Sequence, residues 1–185
     1  GYEFIYSDMY LNYFKIKGFR KRTRTRKLKN PIFNDLLING NAINNSSVTL
    51  KRDLFFKSGG FKEDLNYVTS EDFFLWLNIS KITNKFFKSN YISGYLTIGG
   101  DNATSLDKTT KSMFAIYHFY KDELSKLKMK PVGLWYTLSR ANYNNSNYKK
   151  SILYSLKVLI YSNNFQLKIK SILTITTSII RFLVK

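Results

Sequence analysis

The spacing of apolar residues in this chain changes near Thr110, and that change limits what it can fold into. Before Thr110 the apolar runs are short and are punctuated by Gly, Asn, Asp and Pro, as in a domain of short strands and helices. After it, apolar residues recur three and four positions apart, the spacing of a helix face. The expected fold class is therefore α/β. A mixed-sheet domain over residues 1–108 would be followed by a basic, amphipathic helical extension over residues 109–185.

Residues 2–6, Tyr2-Glu3-Phe4-Ile5-Tyr6, read as a strand, and a second short segment follows from Tyr10 to Ile16. Lys15–Lys29 holds nine Lys or Arg and no acid. Its basic residues partly alternate with threonine. That fits an exposed hairpin or edge strand, but the favoured reading is a solvated loop kept extended by self-repulsion. Asn30 as cap and Pro31 as first helical residue predict a short helix over Ile32–Ile38, stopped at Asn39-Gly40-Asn41. Ser46–Leu50 reads as a short strand, and Arg52–Lys57 as a helical turn closed by Ser58-Gly59-Gly60. Residues 61–67 read as irregular, and Ser70–Lys81 as a helix. Lys88–Ile98 has strand character, and Gly99-Gly100-Asp101-Asn102 is a turn. Further helices are expected at Lys111–Leu127, Leu134–Asn142, Lys149–Tyr161 and Leu167–Val184. Pro131-Val132-Gly133 and the loop Asn144–Asn147 separate them.

The chain contains no cysteine, which excludes a disulfide scaffold, a thiolate zinc site and a cysteine nucleophile. Its single histidine, His118, excludes a histidine-rich metal site. The formal net charge of +18 suggests an anionic partner: nucleic acid, phospholipid or a phosphorylated substrate. A second source of that charge is codon bias, because Lys, Asn, Ile, Tyr and Phe all abound here and all have AT-rich codons. A nucleic-acid module built on Lys15–Lys29 and the tyrosines is disfavoured: no known nucleic-acid motif occurs, and the aromatics fall in apolar helical patterns. The first residue is Gly1, no signal peptide is visible, and the chain opens within a strand pattern. A fragment, a processed product or a truncated frame is expected on that ground.

The chemistry-bearing block runs from Asn41 to Trp76. It contains a small polar segment (Asn45-Ser46-Ser47-Val48), a Gly-Gly-Phe turn followed by acids (Gly59-Gly60-Phe61-Lys62-Glu63-Asp64), and a helix start (Ser70-Glu71-Asp72) leading to Leu75-Trp76-Leu77. Thr69 or Ser70 suits a helix N-cap, and Glu71 and Asp72 fall in a first turn, where the helix dipole favours carboxylates. One reading is a capping box, Thr69 with Asp72. The other is a general base: the helix is apolar on much of its surface, and partial burial holds a carboxyl near the working pH range.

In this order the block resembles family-2 glycosyltransferases of the GT-A fold, over about residues 1–105. In that family a small polar strand and a short helix precede a Gly-Gly-Phe-Asp-Glu-like turn, and a Glu-Asp pair opens a helix with Leu-Trp. Lys62 is a departure from that turn. Tyr6-Ser7-Asp8 is similar to the strand end after the family's metal-binding segment. The resemblance implies a partial GT-A domain in which Asp72 takes the proton of an acceptor hydroxyl that attacks a nucleotide sugar with inversion. Glu71 would orient the base or the acceptor. Ser47, Gly59, Gly60, Phe61 and Trp76 would line the acceptor side, with Trp76 either a platform for a sugar face or plain core. Gly59 and Gly60 would either turn the backbone near the acceptor or simply stop a helix.

The family holds a divalent cation, manganese or magnesium, with an Asp-x-Asp segment; this chain has none, so no metal ligand is assigned in it. The upstream nucleotide-binding strands are missing as well. Some members carry Arg or His in the segment matching Tyr95–Ser105; only the closing Asn102-x-x-Ser105 is similar here. The expectation is an acceptor-side piece that is not a competent enzyme alone. Its parent would use a nucleotide-sugar donor and a glycan or lipid-linked acceptor, in bacterial surface polysaccharide or lipopolysaccharide assembly in the cytoplasm.

No acid follows Glu123, although eleven Lys or Arg do. The apolar stretch Ile172–Val184 is too short and too interrupted by Thr, Ser and Arg to span a bilayer, which needs about 20 apolar residues. Two readings stand. The last two helices lie on an anionic membrane surface, at the cytoplasmic face of the inner membrane, or they form a hairpin packed on the catalytic domain.

Overall fold

A computed structural model describes residues 1–13, 21–98 and 106–183. Lys15–Arg20, the end of the segment expected over Tyr10–Ile16, the turn Gly99–Asn102, the Asn102–Ser105 match and Val184 lie outside the described residues. The chain forms two compact units. An α/β unit comprises residues 1–36, 41–64 and 69–104; a helical unit comprises 37–40, 65–68 and 105–185. The two short stretches 37–40 and 65–68 belong to the helical unit, where Gly40 lies against Gly133 and Tyr67 is buried near Tyr120.

The α/β unit has two three-stranded mixed sheets. In the first, β1 (Phe4–Tyr6) lies between β4 (Thr49–Leu50), antiparallel to it, and β5 (Phe86–Lys88), parallel to it. In the second, β2 (Tyr10–Tyr13) lies between antiparallel β3 (Lys21–Arg22) and parallel β6 (Tyr95–Ile98). Ser89 N–H donates to the Tyr6 carbonyl at 2.8 Å and Ser93 N–H to the Asp8 carbonyl at 3.2 Å. These bonds carry the pairing of the β1–β2 path with the β5–β6 path across the gap between the sheets.

Alternation decides how β1 sits. Phe4 and Tyr6 are buried and Ile5 between them points outward, as a period of two requires. Phe4 stacks on Phe86 at 4.3 Å between centroids and meets Trp76 edge-on at 4.9 Å. Trp76 belongs to α3 (Glu71–Ile82), so this aromatic cluster seats α3 on the first sheet.

The basic segment is more engaged than a solvated loop. Lys21–Arg22 pairs as an edge strand, the less favoured of the two readings, and Thr23 N–H donates to the Met9 carbonyl at 2.8 Å. Beyond it, Arg26 pairs with buried Asp35, and Tyr6 Oη donates to the Arg26 carbonyl at 2.9 Å and accepts from Leu28 N–H at 3.0 Å. Two other expectations need correction. Helix α1 runs Ile32–Asn39, and the Pro31 carbonyl accepts from Asp35 N–H at 3.1 Å, so Pro31 occupies the cap position before the helix. The strand expected at Ser46–Leu50 is a 3-10 turn, Asn45–Ser47, with only Thr49–Leu50 extended. Ser47 Oγ donates to the Asn44 carbonyl at 2.8 Å, a local bond that competes with strand pairing.

In the helical unit a 3-10 turn, Leu65–Tyr67, joins α4 (Leu106–Phe119), α5 (Lys121–Lys126), α6 (Val132–Asn144), α7 (Tyr148–Tyr161) and α8 (Phe165–Leu183). The single helix expected over Lys111–Leu127 is broken at Tyr120, whose backbone leaves the helical region at φ −98°, ψ 21°. Its side chain is fully buried, and that burial raises the phenol well above its ordinary pKa. Packing has overridden the helical pattern there. Helices α6, α7 and α8 share a core of Val132, Val158 and Leu167, against which Trp135 and Tyr136 pack.

Candidate active site

The site is built on the first turn of α3. The cap position falls on Ser70 rather than on Thr69, and Ser70 makes no side-chain cap bond. Thr69 instead has φ +83°. A β-branched residue in the left-handed region costs about 1–2 kcal/mol, and the surrounding structure must supply it. The strained residue immediately precedes Ser70-Glu71-Asp72.

Asp72 turns its carboxylate back onto the helix start, and Phe73 N–H donates to Oδ1 at 2.6 Å. Asn41 holds it from the other side. The Asn41 carbonyl oxygen accepts from Ile43 N–H at 3.0 Å, and its amide nitrogen donates to Asp72. Burial is the largest influence on this carboxyl and raises its pKa; the Phe73 bond opposes it, the Glu71 charge adds to it and the Asn41 bond opposes again. The result is a pKa raised from 3.8 to about 6. Glu71 Oε2 is buried with no hydrogen-bond partner.

This pKa gives a stability signature. Below about pH 4 Asp72 is protonated in both the folded and the unfolded chain. Between 3.8 and about 6 the folded chain keeps a proton that the unfolded chain releases, so stability falls as pH rises through that window. Above about pH 6 the loss is complete and amounts to about 1–3 kcal/mol. Urea titrations of the wild type and Asp72→Asn at pH 4 and pH 7 should therefore show the variant gaining about that much relative to the wild type. A difference that does not change with pH would contradict this account of the carboxyl.

The Gly-Gly-Phe turn is joined to the same helix. Gly59 and Gly60 have φ +88° and +64°, and their N–H groups donate to Phe56 and Phe55 carbonyls at 3.0 and 3.1 Å. They stop α2 (Arg52–Lys57) in left-handed conformations that glycine adopts without strain. Phe61 is half-exposed and meets Phe55 edge-on at 5.6 Å. Lys62 Nζ then lies 5.3 Å over the ring of Phe74 in α3. The residue that departs from the family turn is thus the one that reaches the carboxylate helix.

Two expected site residues have structural positions. Ser47 is buried, and its Oγ accepts from Ser7 N–H at 3.3 Å at the end of β1. Trp76 is 1% exposed, with its ring edge on Phe4. A ring buried to that degree offers no face to a sugar, and the core reading of Trp76 replaces the platform reading. Asn41 and Thr69 matter here; sequence reasoning gave Asn41 no place at the site and offered Thr69 only as a cap. Asn41 had only the signature of a turn, and nothing local announces a bond to Asp72.

The cation implied by the resemblance finds no ligand set among the described residues, where no group of three or more His, Asp or Glu could hold a metal. Asp8 Oδ1 accepts from the Thr25 N–H and hydroxyl, both at 2.7 Å, and Oδ2 faces Lys88 at 3.4 Å. Burial alone would raise the Asp8 carboxyl, but these partners outweigh it and hold it below the ordinary range. Asp35 is committed to Arg26. These carboxylates do not fit a cation site.

No protein-family model matches the chain, and searches of curated proteins and of solved structures found no match.

Proposed function

We propose that the α/β unit is the acceptor-side part of an inverting, family-2-like glycosyltransferase, with Asp72 as the general base. The observation that carries this reading is the meeting of three separated stretches of the chain at one helix start. Asn41 bonds to Asp72, Lys62 covers Phe74, and Glu71-Asp72 opens α3. A capping role alone explains the Phe73 bond but not the burial that raises the Asp72 carboxyl beside an unpartnered Glu71 Oε2.

In the proposed reaction Asp72 is ionised above pH 6 and takes the proton of an acceptor hydroxyl. The freed oxygen pair forms the bond to the anomeric carbon. The bond from that carbon to the donor phosphate breaks, and a nucleoside diphosphate leaves with the electron pair. Glu71, whose charge adds to the rise in the Asp72 pKa, orients the base. The acceptor is a glycan or a lipid-linked glycan, and the nucleotide sugar is held by parts of the enzyme that this chain does not supply. The test is release of nucleoside diphosphate from nucleotide sugars by the whole gene product in the presence of glycan acceptors. Release that depends on Asp72 supports the reading; release indifferent to Asp72 refutes it.

A further inference from the structure

Helices α7 and α8 are arranged inside out. The buried positions of α8 are Leu167, Ser171, Thr174 and Ser178, and those of α7 are Tyr148, Ser151, Ser155 and Val158. Hydroxyls meet in the seams: Ser178 Oγ donates to Ser151 Oγ at 3.3 Å, and Ser139 of α6 bonds Ser155. The large apolar side chains point the other way. Ile172 is 52% exposed, Leu173 60% and Leu183 76%, and on α7 Leu153, Leu156 and Ile160 are also exposed. Small residues in the seam and branched apolar residues outside are the pattern of helices that pack in a lipid environment. Scattered exposed apolar residues are ordinary, but two adjacent helices turning Ile, Leu and Phe outward are not.

Charge identifies what covers this face. The two helices carry Lys149, Lys150, Lys157, Lys168, Lys170 and Arg181 and no acid. On α8, Lys168 falls on one flank of the apolar stripe, and Lys170 and Arg181 on the other. Long cationic side chains on the flanks can lie along the apolar surface and extend their charges to headgroups. A second copy of the same face would bring like charges together, whereas anionic lipid neutralises them. Among the described residues no helix is long and apolar enough to cross a membrane, so the helices would lie in the plane of the interface.

We propose that the outward face of α7 and α8 docks onto an anionic lipid bilayer, with its Ile, Leu and Phe side chains inserted below the headgroups. This stands independently of the role of Asp72. The test is sedimentation of the purified chain with vesicles of phosphatidylcholine alone and of equimolar phosphatidylglycerol and phosphatidylcholine. Binding is expected with the anionic vesicles and should weaken with salt. The neutral pair Ile172→Gln and Leu173→Gln, both at exposed positions, should weaken it roughly tenfold or more, and Lys168→Glu with Lys170→Glu should also weaken it. Absence of binding overturns the proposal. Binding that survives the Gln pair also overturns it, because adsorption is then purely electrostatic. A wild-type dimer that the Gln pair dissociates, with no vesicle binding, would assign the face to a second copy. Should a variant lose its helical circular dichroism, Leu173→Cys gives a unique labelling site in a chain without cysteine. An environment-sensitive dye there should shift to the blue on anionic vesicles, and an unshifted spectrum refutes insertion.

Discussion

On the proposed function, Asp72→Asn in the whole gene product should reduce sugar transfer by about 10²–10⁴-fold without weakening the fold. The amide keeps the size of the side chain and an oxygen for the Phe73 N–H, but it cannot accept a proton from a hydroxyl. At pH 7 the variant should be the more stable protein, because it removes a charge that burial disfavours. The two effects have opposite signs, and this separates a base from a cap: loss of a structural cap would lower stability and leave chemistry alone. Glu71→Gln should cost less activity, because it changes an orienting bond and leaves the proton acceptor in place. Thermal melts beside nucleoside diphosphate release measure both quantities. A variant that melts lower and turns over at the wild-type rate would make Asp72 a helix cap.

The largest stability loss should come from Gly133→Ala in the helical unit. A Cβ at Gly133 would stand 2.2 Å from the Gly40 nitrogen and 2.5 Å from the Gly40 Cα and the Asn39 carbonyl carbon. These are backbone atoms, so no side chain can rotate away, and Gly40 is itself held at φ +82° after α1. The two backbones must separate, and α6 with them. A cost of about 3 kcal/mol is expected, with a fall of roughly 10 °C or more in melting temperature. Gly59→Ala is the comparison: its Cβ would meet nothing within 4 Å, and only the φ of +88° opposes it, for about 1–2 kcal/mol. A Gly133→Ala protein that melts with the wild type would mean that the two glycines are not in contact.

What could be read from the sequence was mostly what local chemistry decides. Helix α3 announced itself through Ser70-Glu71-Asp72 followed by continuous apolar residues, and α2 through the Gly59-Gly60 stop. The parts that escaped depend on residues distant in the chain. Gly133 carried the signature of a chain break, yet it lies in the first turn of α6 because Gly40 passes close by. Tyr120 sits within a helical pattern and ends α4 because its ring is buried. The periodicity of α8 marks both a Ser-Thr face and an Ile-Leu face, and only the seam with α7 reveals that the polar one is inside. The site divides in the same way: the carboxylates could be read locally, and Asn41, which holds Asp72, could not.

The claim that Asp72 is the base is tested most directly by the pH dependence of kcat/KM for transfer, which reports the ionisation of the free enzyme. The rate should rise with a midpoint at about pH 6, where the buried carboxyl ionises, and level off above it. A profile flat from about pH 5 to 8, or a rising limb that persists unchanged in the residual activity of Asp72→Asn, would show that some other group takes the proton.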